Sequence, residues 1–292
     1  MPELPEVETI RRRLEAALVG ATIRDVVLND SSVCQMSEAQ LRALIDGRRI
    51  TALRRRGKYL LIDLGDVVAI VHLRMTGQLL LRVESSCVPL AGRQPRFALR
   101  LTPDVELSFR DVRRFGRLWA LPAAEERDFF AGMGPEPFGD EFTVMYLRAA
   151  LEGRRAPLKA FLLDQRRLAG VGNIYADEAL FRARLHPLRA AGSVGPREAQ
   201  RLHAAILETL QAGIDHNGSS IESFIDPAGQ PGTFQDILNV YQRTGQPCRV
   251  CSAPVRRVVV GGRGTHFCAH CQPYRAGRSR HAASPADEHG AT

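Results

Sequence analysis

Four cysteines near the C-terminus constrain this 292-residue chain more than any other feature. Cys248 and Cys251 form one C-x2-C pair, Cys268 and Cys271 form a second, and sixteen residues separate the pairs. Two thiolates at that spacing can grip one side of a tetrahedral ion, and two such pairs close the shell around one zinc. A closed four-thiolate site has no open position, so the ion would carry structure rather than catalysis. The segment between the pairs reads as a hairpin, with Val255–Val260 and Thr265–Phe267 flanking Gly261-Gly262-Arg263-Gly264. Arg263 is thereby expected at the tip among glycines, where backbone can approach a ligand closely. An exposed arginine serving only solubility fits the same spacing. Cys34 and Cys87 are isolated and read as buried small hydrophobes.

No apolar run approaches the ~20 residues that a membrane-spanning helix needs. The opening Met1-Pro2-Glu3-Leu4-Pro5-Glu6 is acidic and proline-rich, the opposite of a secretory signal. The expectation is a cytoplasmic protein with reduced thiols. Its 40 Lys+Arg against 32 Asp+Glu give a net charge of +8. Such an excess suits a polyanionic partner, and a merely soluble surface equally.

Residues 6–19 have the pattern of an amphipathic helix, with Val7, Ile10, Leu14 and Leu18 at three- and four-residue steps. A shorter helix follows Ser37, which pairs with Gln40 in a capping box, and stops at Gly47. Then come short apolar segments punctuated by Gly, Pro or Asp: Thr22–Leu28, Ile50–Arg56, Tyr59–Leu64, Val67–His72, Gln78–Val83, Phe97–Leu101, Val105–Phe109 and Arg117–Leu121. So many short strands predict a β-sandwich or barrel. The Gly132–Pro137 breaker cluster marks a boundary, after which the period turns helical over Val144–Leu151, Pro157–Leu163, Ile174–Arg184 and Arg197–His216. The expected fold is α+β and multidomain: an N-terminal β-sandwich with an N-terminal helix over 1–133, a helical domain over 134–240, a zinc-ribbon hairpin over 241–274 and a disordered tail over 275–292.

Four motifs then narrow the possibilities. They are Met1-Pro2-Glu3-Leu4-Pro5-Glu6-Val7-Glu8-Thr9, Arg56-Gly57-Lys58-Tyr59-Leu60-Leu61, Gly170-Val171-Gly172-Asn173-Ile174-Tyr175-Ala176-Asp177-Glu178, and the ribbon with Gly262-Arg263. In this order they resemble bacterial formamidopyrimidine-DNA glycosylases, from residue 2 to about residue 274. The resemblance implies that the 134–240 segment is a helix-two-turn-helix DNA-binding domain. It also implies a monomeric, nucleoid-associated enzyme that excises oxidised purines from damaged double-stranded DNA and then cuts the strand as an apurinic/apyrimidinic lyase.

Removal of Met1 would leave Pro2 as a free secondary amine. With a reference pKa of ~7.7–8.0, an α-amino group is partly unprotonated near neutrality. The resemblance implies that Pro2 attacks C1′, that a Schiff base forms, and that β- and then δ-elimination follow. It makes Glu3 the proton shuttle, and Lys58 and Arg263 the donors for the two eliminations. Because arginine is essentially always protonated, phosphate clamping suits Arg263 better on physical grounds. Read alone, Pro2 and Glu3 are a helix-starting proline and an acid at the positive end of a helix.

The resemblance also assigns Met75, Arg113 and Phe115 to filling the gap left by a turned-out nucleotide. For Met75 and Phe115 the other reading is a core position. Asn173, at a helix start after Gly-Val-Gly, reads as a phosphate site compatible with an N-cap. Glu178 is carried over as part of the lesion pocket or its support. His72, Arg114, Arg154 and Lys159 are candidate phosphate contacts or solvated surface, and Gln94 stands where a DNA-contacting histidine is usual. Further departures put lesion preference in question: Arg74 and Gln242 replace common glycines, Val112 a proline, and Glu222 a lysine in the Asn217–Phe224 loop. The rivals are an endonuclease VIII-like enzyme for oxidised pyrimidines, a catalytically silent damaged-DNA binder and a generic zinc-ribbon regulator. The Arg113-x-Phe115 pair, the intact Pro2-Glu3-Lys58 set and the N-terminal motif respectively speak against them.

Overall fold

The computed structural model describes residues 1–83 and 94–274. The expectations for Cys87 and for the tail 275–292 fall outside the described residues, whereas Cys34 is buried as expected. Helix α1 runs Leu4–Leu18, two residues earlier than the apolar period predicts. Glu6 in the first turn accepts the Glu3 N–H at 2.7 Å, and Pro5 sits in the same turn, where its missing N–H has no intrahelical use. Its Val7, Ile10, Leu14 and Leu18 are buried in the core of the first domain. Emptying one such position by Leu14→Ala would cost about 2–5 kcal/mol.

That core lies between two four-stranded antiparallel sheets. One is ordered β1 (Thr22–Leu28), β6 (Phe97–Thr102), β7 (Val105–Asp111), β5 (Gly77–Val83). The other is ordered β2 (Ala52–Arg56), β3 (Tyr59–Asp63), β4 (Val67–His72), β8 (Arg117–Pro122). Helix α2 (Glu38–Ile45), capped by Ser37, adds Leu41 and Ile45 to the core. Every residue of β4 is buried, because its second face is covered too. There Leu61, Val68 and Ile70 meet Trp119, Phe129 and Phe130. The last two aromatics come from a short helix α3 (Glu126–Phe129) and the residue after it; four residues give no period to read, so the sequence did not forecast it.

The second domain packs α4 (Val144–Leu151), α5 (Leu158–Leu163), α6 (Asn173–Arg182) and α7 (Pro196–Asp215) around their own core. The Gly132–Pro137 segment is a packed joint rather than a loose linker. Glu136 accepts the Gly57 N–H and contacts Arg55 and Arg56, while Gly134 lies so close to residues 166–168 that a Cβ would meet Arg167 at 2.6 Å. The two domains also exchange side chains: Leu4 is buried in the helical core, and Phe224 in the sandwich core.

The C-terminal hairpin pairs β9 (Arg256–Val260) with β10 (Arg263–Phe267). Its turn is only Gly261-Gly262, both at positive φ (+55° and +73°), the two-residue geometry that suits strand twist. Arg263 therefore opens β10 opposite Val260, one step from the expected tip.

Candidate active site

The first turn of α1 faces the second domain, and glycines make room for it. Leu4 N–H donates to the Gly170 carbonyl at 3.0 Å, and a Cβ on Gly170 would sit 2.6 Å from the Leu4 side chain. A Cβ on Gly172 would lie 2.3 Å from the Glu3 carboxyl carbon. That space is filled by the Glu3 carboxylate, which accepts Gly172 N–H at 2.7 Å and Ile174 N–H at 3.0 Å. Glu3 thus occupies the positive end of α6 and is only 2% exposed. Next to it, Glu6 accepts Glu3 N–H at 2.7 Å, Tyr175 O–H at 2.7 Å and Ser219 N–H at 2.8 Å. Burial, with the neighbouring Glu3, pushes the Glu6 carboxyl above its ordinary range, against the pull of those donors.

Lys58 follows Gly57 in the tight turn between β2 and β3, where Arg56 pairs with Tyr59 and Gly57 takes φ +56°. Its ammonium is buried, and desolvation pulls its pKa down; Glu3 and Glu6 oppose that shift and Arg263 adds to it. A lysine in that state gives and takes a proton closer to neutrality than a solvated one. His72, edge-on to Tyr59, is likewise buried, and with Arg74 and Lys58 near it its pKa falls to about 3. The ring is therefore neutral, and its Nδ1 accepts Arg74 N–H at 3.0 Å.

These groups converge. Pro2, Glu3, Lys58, His72, Met75 and Arg263 line one cleft of about 370 Å³ between the sandwich, the helical domain and the ribbon hairpin. Asn173, Gln165, Tyr241 and the Ser219–Phe224 loop complete its walls. Met1 is present, so the Pro2 nitrogen is an amide, and the Met1 ammonium pairs with Glu222 at 3.1 Å. Outside the cleft, the four cysteine sulfurs lie within 4.8 Å of one another. The Cys251–Cys268 and Cys248–Cys271 separations of 3.4 and 3.9 Å bracket the ~3.8 Å edge expected of a tetrahedron with ~2.3 Å zinc–sulfur bonds. Backbone N–H groups of Val250 and Cys271 approach Cys248 and Cys268 sulfurs at 3.5 Å, which favours thiolates.

Three family descriptions match the chain in order: the formamidopyrimidine-DNA glycosylase N-terminal domain over residues 1–118, its H2TH domain over 133–225, and a zinc finger found in FPG and IleRS over 245–273. A formamidopyrimidine-DNA glycosylase of Bacillus cereus is 40% identical over 277 residues, spanning 94% of this chain and 99% of that one. Another, of Symbiobacterium thermophilum, is 44% identical over 283 residues, spanning 95% and 91%. The chain belongs to the formamidopyrimidine-DNA glycosylase family. Among solved structures, the MutM (Fpg) protein of Thermus thermophilus superposes with a TM-score of 0.82 at 45% identity, covering 93% of this chain and 98% of that one. A Lactococcus lactis Fpg variant in complex with Fapy-dG-containing DNA gives 0.87 at 35%, covering 94% and 100%. A MutM in complex with carbocyclic 8-oxo-G-containing DNA gives 0.86 at 36%, covering 94% and 100%. The ribbon of this family member is a structural zinc site, and no reaction step passes through it.

Several expected contacts of this glycosylase-family chain sit elsewhere. Lys159 is no phosphate contact: it is wholly buried, its ammonium 2.6 Å from Asp177 and donating to the Gly264 carbonyl at 3.0 Å. Asp177 also accepts His266 N–H at 2.8 Å, so the pair ties α5 and α6 to the strand that begins with Arg263. Glu178 does not line the cleft; its carboxylate accepts the N–H groups of Asn239, Val240 and Tyr241 and so holds Tyr241 at the cleft wall. Asn173 is the first helical residue, with Gly172 as cap, and the helix-end donors of Gly172 and Ile174 go to Glu3 rather than to a phosphate. Its side chain still faces the cleft, donating to the Tyr241 hydroxyl at 3.3 Å with its oxygen unpartnered.

Arg113, Arg114 and Phe115 stand exposed on the turn after β7, with the Arg113 guanidinium 4.8 Å from the centre of the Phe115 ring. Asp111, which the sequence did not single out, shapes that turn by accepting N–H bonds from Arg113 and Gly116 while contacting Thr76 beside Met75. Arg154 is exposed after α4 and Gln94 before β6, and neither lines the cleft. Arg74 and Gln242 have φ of +55° and +56°, the left-handed region that favours glycine, which explains why a glycine is at home in both places. Glu6 and Tyr241 were missed because each matters through partners far away in sequence, whereas Gln165, which bonds Leu163, Gly170 and Val171, lies in no motif that marks it.

Proposed function

We propose that this chain is a bifunctional glycosylase and apurinic/apyrimidinic lyase that removes oxidised purines, 8-oxoguanine and formamidopyrimidines, from duplex DNA. The observation that carries it is the convergence of Pro2, Glu3, Lys58 and Arg263 on one cleft. Once Met1 is removed, the Pro2 amine attacks C1′, the bond from C1′ to the base breaks, and the base leaves with a proton. Opening of the sugar ring, with Glu3 passing a proton to the ring oxygen, leaves an iminium between Pro2 and C1′. The iminium acidifies the C2′ proton; its loss expels the 3′ phosphate, and a second elimination expels the 5′ phosphate. Water hydrolyses the remaining adduct. Lys58 handles protons in the first elimination, and Arg263 holds phosphate as a fixed cation.

The relatives solved with Fapy-dG and 8-oxo-G DNA support the choice of lesion. The DNA-facing set is Met75, Arg113, Arg114 and Phe115 with Asn173 and Tyr241, and the working division is a catalytic sandwich over 1–133, a DNA-binding helical domain over 134–240 and the ribbon over 241–274. A single chain suffices for the cleft, and a DNA substrate supports a location in the cytoplasm at the nucleoid. Among the described residues no helix is long and apolar enough to cross a membrane.

A Lactococcus lactis Fpg has also been solved with oxidised-pyrimidine DNA, so the test needs two lesions. Borohydride reduction in the presence of an 8-oxoguanine:cytosine duplex should give a covalent adduct with the Met1-processed protein. An adduct with a thymine-glycol duplex and none with 8-oxoguanine would replace this reading with an endonuclease VIII-like one. No adduct with either, or with an abasic duplex, would leave a silent damaged-DNA binder.

A further inference from the structure

The loop that leaves α7 at Asn217 crosses from the helical domain to the sandwich and ends with Phe224 in the sandwich core. On the way it lines the cleft with Ser219 and Ile221–Phe224. It meets one buried charge. Glu6, 2% exposed, accepts the Ser219 N–H at 2.8 Å through the same oxygen that takes the Tyr175 hydroxyl, while its other oxygen takes Glu3 N–H. Gly218 just before it has φ +80°, and a Cβ there would lie 2.9 Å from Glu6 Cγ, so the chain is pressed onto the Glu6 side chain. Farther along, Gln78 holds the Ser223 carbonyl at 2.5 Å. One carboxylate therefore joins the residue after the nucleophile, helix α6 and the cleft loop.

We propose that Glu6 is a positioning residue for base recognition, fixing the register of the Asn217–Phe224 loop against the Pro2–Glu3 pair. This rests on the glycosylase and lyase reading above. Removing a base requires the loop around the base and the nucleophile at C1′ to be held together. Cutting at an abasic site presents no base to the loop, so it depends on that register less. Glutamine is nearly the same size as glutamate, but its amide must turn N–H groups toward Glu3 N–H on one side or toward Tyr175 and Ser219 on the other. Either choice leaves a buried donor facing a donor.

The test compares wild type and Glu6→Gln, both Met1-processed, in single-turnover assays on an 8-oxoguanine:cytosine duplex and on an abasic duplex. Base excision is expected to fall about 10- to 100-fold, the scale of one charge-assisted hydrogen bond, and abasic-site scission at least about tenfold less. Equal falls on both substrates, or no fall on either, would overturn the proposal. If the variant loses its thermal transition, Tyr175→Phe decides: it deletes one donor and keeps the Ser219 contact, and it should shift the ratio of excision to scission a few-fold toward scission. An unmoved ratio would overturn the inference. A wild type that forms no adduct with either duplex would overturn the glycosylase reading itself, and the role of Glu6 with it.

Discussion

Glu3 and Phe115 belong to the same domain but are built into it in opposite ways. Glu3 is 2% exposed, with two backbone donors fixed on its carboxylate by a neighbouring helix. Phe115 is 47% exposed, and its ring has the Arg113 guanidinium for company. The first arrangement fixes a charge before substrate arrives, so little reorganisation remains for the reaction step. The second leaves apolar surface exposed beside cations at the molecular surface, ready for a partner that supplies bases and phosphates. Changes on the buried side should therefore show in chemistry, and changes on the exposed side in binding.

The largest break is expected from Gly172→Ala. Its Cβ would fall 2.3 Å from the Glu3 carboxyl carbon, so the carboxylate must leave the helix end. Base excision in single turnover should drop about 10²–10⁴-fold, the worth of a positioned proton-transfer group. Lesion-duplex affinity, measured by fluorescence anisotropy, should move by less than about threefold. Phe115→Ala should do the reverse. Affinity for the lesion duplex weakens about tenfold, the scale of one aromatic side chain lost from a buried contact. At saturating enzyme, borohydride trapping at an abasic site stays within about threefold of wild type.

The smallest effect sharpens the comparison through pH. Burial holds the His72 pKa at about 3 in the folded chain, against 6.5 for an ordinary histidine. Below pH ~6.5 the unfolded chain takes up a proton that the folded one refuses, so stability is complete above that pH and declines as pH falls toward 3. The decline approaches ~1.4 kcal/mol per pH unit. His72→Gln should flatten it, which urea midpoints at pH 7 and pH 5.5 would register as a smaller difference than in wild type. On the exposed turn, Phe115→Ala removes a side chain that does not titrate and should leave the pH slope unchanged.

Much of this was legible in the residues alone. Short apolar strands punctuated by Gly, Pro or Asp, the spacing of Cys248, Cys251, Cys268 and Cys271, and the ordered motifs around Pro2, Lys58 and Asn173 are local patterns, and they imply the sandwich, the zinc ribbon and the family. The illegible part is non-local. Lys159 looks like any solvated lysine until Asp177 and the Gly264 carbonyl, 105 residues away, are brought to it. Glu6 looks like a helix-start acid, and its Ser219 contact spans 213 residues. Glu178 has a motif position but no visible task until the 239–241 segment folds back onto it. In each case burial of a charge is tolerable only because distant donors or counter-charges satisfy it, and one-dimensional patterns do not record distance in space.

The insertion of Leu4 beside Gly170 and of Glu3 into the helix that starts at Asn173 has a consequence for the order of events during synthesis. Chains are made from the N-terminus and fold domain by domain as they emerge. The residues at the very front wait for partners made some 170 residues later, and Glu6 for one made later still. The sandwich can therefore acquire its strands while the amine at its edge is still unaligned. On the proposed reading, a chain that stops before Ser219 would carry Pro2 but not the frame that aims it, so the capacity to attack sugar would arise only in a molecule that also possesses its helical half.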